Sequence, residues 1–191
     1  MIVTLAIAKG YIGVSVSTED TEIAQIINDA GAAMEAFCSR NLESATVIEY
    51  LSGDGTRTLL VREPAEGITS IYVDSTRAWG ATSLVSSADY QHITGRDGTG
   101  RVIEYLDNVW GSGQRNIKAT YLAGYAAMPD DIERACLVEV ARLYSEWKRA
   151  KEGKDVLASQ SVAGWTQQWL AKVGIDPACA DLLRPYGNAR L

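Results

Sequence analysis

The stretch Tyr121-Leu122-Ala123-Gly124-Tyr125-Ala126-Ala127-Met128-Pro129-Asp130-Asp131-Ile132 changes its period halfway along, and that change decides the fold class. On its N-terminal side, Asn116 to Leu122 sets Ile117, Ala119 and Tyr121 at alternate positions, as in a strand with one buried face. On its C-terminal side, Pro129 stops what precedes it, Asp130 is placed to cap a helix, and Glu133 completes an acidic capping box. Ile132, Cys136, Val140, Leu143, Tyr144 and Trp147 then recur at the spacing of a single helical face. Lys148, Arg149 and Lys151 fall in the last turn, where the helix dipole favours cations, and Gly153 ends the pattern. The expectation is a strand over 116–122 and a helix over 130–152.

Working back toward the N-terminus, Thr4 can cap a short turn of helix over Leu5 to Tyr11, which Gly10 and Gly13 break. Ser17 and Asp20 have the spacing of a capping box, and Ile23, Ile26, Ile27, Ala30, Met34, Phe37 and Cys38 repeat at helical spacing, so a helix is expected over about 18–40. Glu19, Asp20 and Glu22 lie in its first turn. Thr46 to Ser52 alternates like a strand, Gly53-Asp54-Gly55 is turn chemistry, and Thr58 to Val61 returns as the partner strand. Pro64 and Gly67 punctuate before a further strand over Ile68 to Val73. Weaker strands are read at Tyr90 to Thr94 and Val102 to Leu106. The result is an α+β domain: a helical domain with an inserted small antiparallel β-sheet over about 45–122 and a C-terminal arm. The domain is placed at 1–155 and the arm at 156–191, where Val162, Trp165 and Trp169 line either a strand or a short helix.

Composition narrows the function. The 191 residues are 47% hydrophobic and 22% charged, which argues against large-scale disorder. A net charge of −6 and a pI near 4.9 argue against a general nucleic-acid binder and against attraction to anionic lipid. A DNA-binding reading needs Arg57, Arg62, Arg77, Arg96, Arg101 and Arg115 on one face. Cys38, Cys136 and Cys179 are odd in number and far apart, with no CxxC pair, so they read as buried thiols in a reducing compartment. No segment approaches the roughly 18 apolar residues of a membrane span. The apolar opening Met1 to Ala8 has no basic region before it, and the chain is expected to stay in the cytoplasm where it is made.

A search for chemistry singles out no catalytic, cofactor-binding or metal-ligating residue. The single histidine, His92, sits in an expected strand, and no nucleophile elbow is present to partner it. Gly95-Arg96-Asp97-Gly98-Thr99-Gly100 precedes a strand rather than a helix and reads as a hairpin turn, not a phosphate loop. Asp54, Asp74, Asp97 and Asp107 are scattered in loops without the spacing of a calcium loop. The aromatic residues are more suggestive. Trp79, Trp110, Trp165 and Trp169 lie in loops or in the arm, and Trp and Tyr anchor protein interfaces. With Tyr186 and Arg190 near the end of the arm, they are the candidate interface residues.

Taken in order, these pieces resemble the head–tail connector (adaptor) proteins of long-tailed phages. Val3-Thr4-Leu5-Ala6-Ile7-Ala8-Lys9 is similar to that family's short first helix, and Thr18-Glu19-Asp20 with Ile26-Ile27-Asn28-Asp29-Ala30 to its next helix. The most specific likeness is Tyr121 to Tyr125 followed by Met128-Pro129-Asp130-Asp131-Ile132, with Leu143-Tyr144 on the long helix beyond. Leu182-Leu183-Arg184-Pro185-Tyr186 resembles the family's closing motif. Gly10 and Gly13 depart from the usual first helix. The resemblance covers nearly the whole chain and implies a structural neck protein rather than an enzyme. It implies a ring of copies, usually dodecameric in the virion, that docks on the portal protein above and on the next neck or tail-completion protein below. DNA passes through the lumen of such a ring without specific binding, for which an acidic subunit is suited. The arm is expected to dock on the portal or on a neighbouring subunit. A tail-terminator or head-completion protein is the nearest alternative role.

Overall fold

The structure is a computed structural model that describes residues 1–95, 97–153, 159–162, 165–168 and 174–187. Two compact units emerge, one from residues 1–39 with 128–191 and one from residues 40–127. The β part is therefore an insertion into a helical unit, as expected for an α+β chain of this order.

The helical unit is built from α1 (Leu5–Ile12), α2 (Asp20–Cys38), α3 (Asp130–Lys151) and α4 (Pro177–Leu183). Thr4 caps α1, its side chain accepting from the Ile7 N–H. Gly10 is carried inside α1, while Gly13 ends it in the left-handed region, with the Val14 N–H bonded back to the Lys9 carbonyl. Neither expected capping box forms. The residue before α2 is Glu19, without a side-chain cap, because Asp20 pairs with Lys9 and the Glu19 carboxylate accepts from the Tyr144 hydroxyl at 2.7 Å. Pro129 rather than Asp130 precedes α3, and its carbonyl takes the N–H groups of Ile132 and Glu133. The α3 stripe buries Ile132, Cys136, Val140 and Tyr144 against α2 and α4, with Leu143 and Trp147 at its margin. Among the described residues of the C-terminal segment, Cys179 and Leu183 are fully buried and α4 packs on α3, so this part belongs to the helical core, while β6 (Ser159–Val162) and β7 (Trp165–Gln168) pair as an antiparallel hairpin.

One buried charge ties this unit together. Glu139 lies on α3 with no exposed surface, and its carboxylate accepts from the Arg142 guanidinium and, at 2.9 Å, from the Asp176 N–H just before α4. Arg142 also reaches Glu146 at 2.8 Å, so the buried carboxylate is both paired and hydrogen-bonded, as burial of a charge requires.

The inserted unit is a five-stranded antiparallel sheet of β1 (Ala45–Gly53), β2 (Thr58–Val73), β3 (Tyr90–Ile93), β4 (Gly100–Tyr105) and β5 (Gly113–Ala123), in the order β1-β5-β2-β4-β3. Two expectations change. The stretches 58–61 and 68–73 are one bent strand that runs through Pro64 and Gly67, with register shifts on either side of Ala65. Its first half pairs with β4 and its second with β5, so the bulges let one strand serve two partners. Nor do β1 and the start of β2 pair as a hairpin, since β5 lies between them. The Gly53–Gly55 turn instead becomes a local loop, with the Asp54 carboxylate accepting from both the N–H and the hydroxyl of Thr56. The β3–β4 hairpin forms as read, its turn closed by Gly95 N–H to Thr99 carbonyl at 2.7 Å. Ile117, Ala119, Tyr121 and Ala123 of β5 join Leu59, Val61, Ile71, Ile103 and Trp110 in the core of this unit.

The chain leaves β5 through Gly124, at φ +86°, where a Cβ would stand 2.2 Å from the Glu43 carbonyl oxygen. Gly124→Ala is expected to lower the unfolding free energy by more than ~2 kcal/mol in denaturant titration, through backbone strain and that clash; an unchanged midpoint would refute the close approach. Burial, followed by the nearby Glu139 charge, pushes the Cys179 thiol up to about 12. With Cys38 and Cys136 also buried, a thiol reagent at pH 8 is expected to label the chain only as fast as it unfolds.

Candidate functional site

The solvent-facing side of β1, β5 and the second half of β2 is unlike the rest of this acidic chain. The register aligns Tyr50, Lys118 and Tyr72 in one cross-strand row, and the Lys118 ammonium sits 5.7 Å from the centre of the Tyr72 ring. Ile48 and Leu122 project from the same face and are exposed. Period-two alternation explains the segregation. Val47, Glu49 and Leu51 turn toward the core side, so the alternating Ile48 and Tyr50 must face outward.

At one end of this face lies a groove of about 270 Å³ lined by Tyr50, Arg77, Trp79 and Arg115. Trp79 packs against Tyr50 with ring centres 5.6 Å apart, and the Arg115 guanidinium lies 5.8 Å from the Tyr50 ring centre. Arg77 donates to the Gln114 carbonyl at 2.9 Å, which fixes its reach beside Arg115. Three of the four groove residues, Arg77, Trp79 and Arg115, have positive φ without being glycine. Such strain persists only where neighbours over-determine it. Here Asp74 does so for the first two. Its Oδ1 accepts from the N–H and hydroxyl of Thr76, and its Oδ2 from the Trp79 N–H at 2.9 Å. For Arg115 the Ser52 hydroxyl accepts its N–H at 3.0 Å. The Thr76 hydroxyl bond above all holds the Asp74 carboxyl below its ordinary range. The groove thus offers two guanidinium groups over an aromatic floor, a surface suited to a carboxylate next to an apolar group.

The other candidates are dispersed. The expectation that Trp110 faces a partner is not met. It is fully buried between Tyr105 and Tyr90, with ring centres at 4.6 and 6.5 Å, and serves the core. Tyr186 is half-buried in a short 3-10 turn after α4. Trp165 begins β7, while its side chain, Trp169 and Arg190 lie outside the described residues. The arginines do not share one face. Arg57 donates to the Leu106 carbonyl and Arg101 to the Val61 carbonyl at 3.1 Å, away from the Arg77–Arg115 pair, and Arg96 lies outside the described residues. His92 meets the Gly100 carbonyl at 3.1 Å, across its own hairpin.

Two features escaped the sequence reading. Glu139 falls three residues after Cys136, inside the apolar stripe, and a carboxylate at a core spacing followed by Arg142 was its only signal. Arg40 is buried with its guanidinium 5.0 Å from the Tyr125 ring centre, and Tyr125 donates to Asp97 at 2.9 Å. Burial alone would raise the Asp97 pKa, but hydrogen bonds from Thr99 and Tyr125 and the Arg40 charge hold it below the ordinary value.

A sequence model of the family described as "HCP: Head completion protein" matches residues 1–167. Among solved structures, a chain of "Neck of empty GTA particle computed with C6 symmetry" superposes with a TM-score of 0.65 at 15% identity, covering 100% of this chain and 91% of that chain. A chain of "Virion of native gene transfer agent (GTA) particle" does so with a TM-score of 0.62 at 16% identity, again over 100% and 91%. At such identities the two likenesses establish the fold. No curated protein matches.

Because the Asp74 pKa is depressed, its support of the 74–79 loop is complete above the ordinary carboxylate value of about 3.9 and is lost only as pH falls through the lowered pKa. The amide resonances of Thr76 and Trp79 are expected to hold steady from pH 7 to about 4.5 and to move only below about 3.9. Asp74→Asn should shift them already at pH 7. A titration midpoint above about 4 would contradict this arrangement.

Proposed function

This chain belongs to the head completion protein family, and from that premise we propose the particular place it takes in the neck of a tailed phage or phage-like particle. Its role is structural, at the junction of head and tail. The family match over residues 1–167 carries the reading, and the helical unit with an inserted antiparallel sheet agrees with it.

The finer reading is an adaptor. Copies of the chain form a ring, dodecameric in the virion, whose upper surface docks on the portal protein and whose lower surface receives the next neck or tail-completion protein. DNA passes through the lumen without specific binding. The net charge of −6 supports this, because retention of phosphates would need a basic surface. The protein is made in the host cytoplasm and ends in the virion neck. It performs no catalysis. In support, the family match is to a structural head completion protein, and all three cysteines are buried, with burial pushing the Cys179 thiol away from the reactive thiolate.

The region 156–191 is the proposed portal contact, with Trp165, Trp169, Tyr186 and Arg190 as its anchors. Since α4 is part of the helical core, truncation at 155 would damage the fold as well as the contact. Replacing residues 159–168 with a short Gly-Ser linker separates the two effects. Light scattering of the full chain with the portal protein is expected to give a complex of fixed stoichiometry, which the linker variant loses while keeping its melting temperature. Full retention of portal binding by a variant that also carries Trp169→Ala, Tyr186→Ala and Arg190→Ala would exclude the arm, and a wild-type chain indifferent to the portal would exclude the adaptor role.

A further inference from the structure

Two patches on this chain complement one another in charge. The first is the groove of Tyr50, Trp79, Arg77 and Arg115. Among the described residues, no carboxylate forms a salt bridge with either guanidinium. Both arginines are exposed, as is Ile48, two residues before Tyr50 on the same face of β1. The second patch is the start of α3. Asp130 and Asp131 are exposed side by side, directly after the half-buried Met128 and Pro129. Asp130 and Asp131 likewise form no salt bridge among the described residues.

We propose that the Tyr50–Arg77–Trp79–Arg115 groove receives the Met128–Asp131 segment of a second copy of this chain. The guanidinium groups take the two carboxylates, and the aromatic floor takes the Met128 and Pro129 side chains, as sulfur and proline rings pack on aromatic faces. The two patches differ, so each copy offers a groove to one neighbour and a helix start to the other. That is a heterologous contact, the kind that propagates head to tail and closes into a ring. Tyr, Trp and Arg are the residue types that dominate interface energetics, and the aromatic floor with the exposed Ile48 beside it favours a protein occupant over a phosphate backbone. The chain is acidic overall, so a confined cationic groove also sets register, because like charges oppose most other contacts between copies. The inference deepens the ring reading above by naming its subunit contact.

Sedimentation of the full-length chain up to millimolar concentration, at low and high salt, tests it through charge exchange. One variant carries Arg77→Glu with Arg115→Glu, the other Asp130→Lys with Asp131→Lys. Each alone is expected to self-associate at least about tenfold more weakly than wild type. An equimolar mixture should recover, because the reversed groove of one then meets the reversed helix start of the other. Melting temperatures of both variants check folding, and recovery in the mixture is open only to folded chains. A monomeric wild type, an unaffected variant or a mixture that fails to recover overturns the contact. So does salt-dependent binding of a duplex oligonucleotide that is lost on groove reversal while self-association persists, which would make the groove a phosphate site. Unchanged self-association of both variants while the wild-type chain still binds the portal overturns this contact alone and leaves the adaptor role standing, whereas a wild-type chain indifferent to the portal overturns the adaptor role itself.

Discussion

Strand β5 is hydrogen-bonded on both edges, to β1 and to β2, and the inserted unit is arranged around that constraint. Ala123 pairs with Ala45 on one side and Ala65 on the other, and Ile117, Ala119 and Tyr121 are fully buried beside it. A strand paired on both edges leaves the fewest unsatisfied backbone groups, so it suits the most apolar segment of the unit. Its last residue is followed by Gly124, which has no side chain to strike the Glu43 carbonyl. The Tyr125 N–H then bonds to the Leu42 carbonyl, which holds the two ends of the insertion together. The chain enters at Arg40 and leaves at Ala127 as a consequence of this pairing.

The same constraint produces the cationic face. With β5 between β1 and β2, Lys118 falls between Tyr50 and Tyr72, and the end of β1 is brought beside the residues that precede Ile117. The hydroxyl of Ser52 can therefore hold Arg115 in its left-handed conformation, opposite a loop that Asp74 holds at Trp79. Four residues from three separate stretches converge without any of them being adjacent in sequence.

In the helical unit, the corresponding tie is polar rather than steric. Tyr144 of α3 donates to Glu19 at the start of α2, and Glu139 of the same helix accepts from the backbone that begins α4. Each is a single bond between elements distant in the chain, and the apolar stripe around them supplies the burial that strengthens it. Breaking the Glu139 bond would leave a buried charge short of a partner, a cost larger than the bond itself contributes.

Hydrophobic period and turn chemistry determined the helices α2 and α3, the β3–β4 hairpin, the strand β5 and the order helix, sheet, helix, because each rests on neighbours within a few residues. The order of those elements, read with motifs such as Tyr121 to Tyr125, was also sufficient to point to the neck of a phage. Tertiary structure alone decided three things. It placed β5 between β1 and β2, since pairing depends on which strand buries best and not on which follows next. It drew Trp110 into the core and left Trp79 at a groove, although both read as loop aromatics, because burial of a side chain is set by what packs over it. It also folded Cys179 and Leu183 onto α3, turning part of an apparent arm into core. Local patterns carry the identity of an element, but partners from elsewhere in the chain determine which of its faces stay in water.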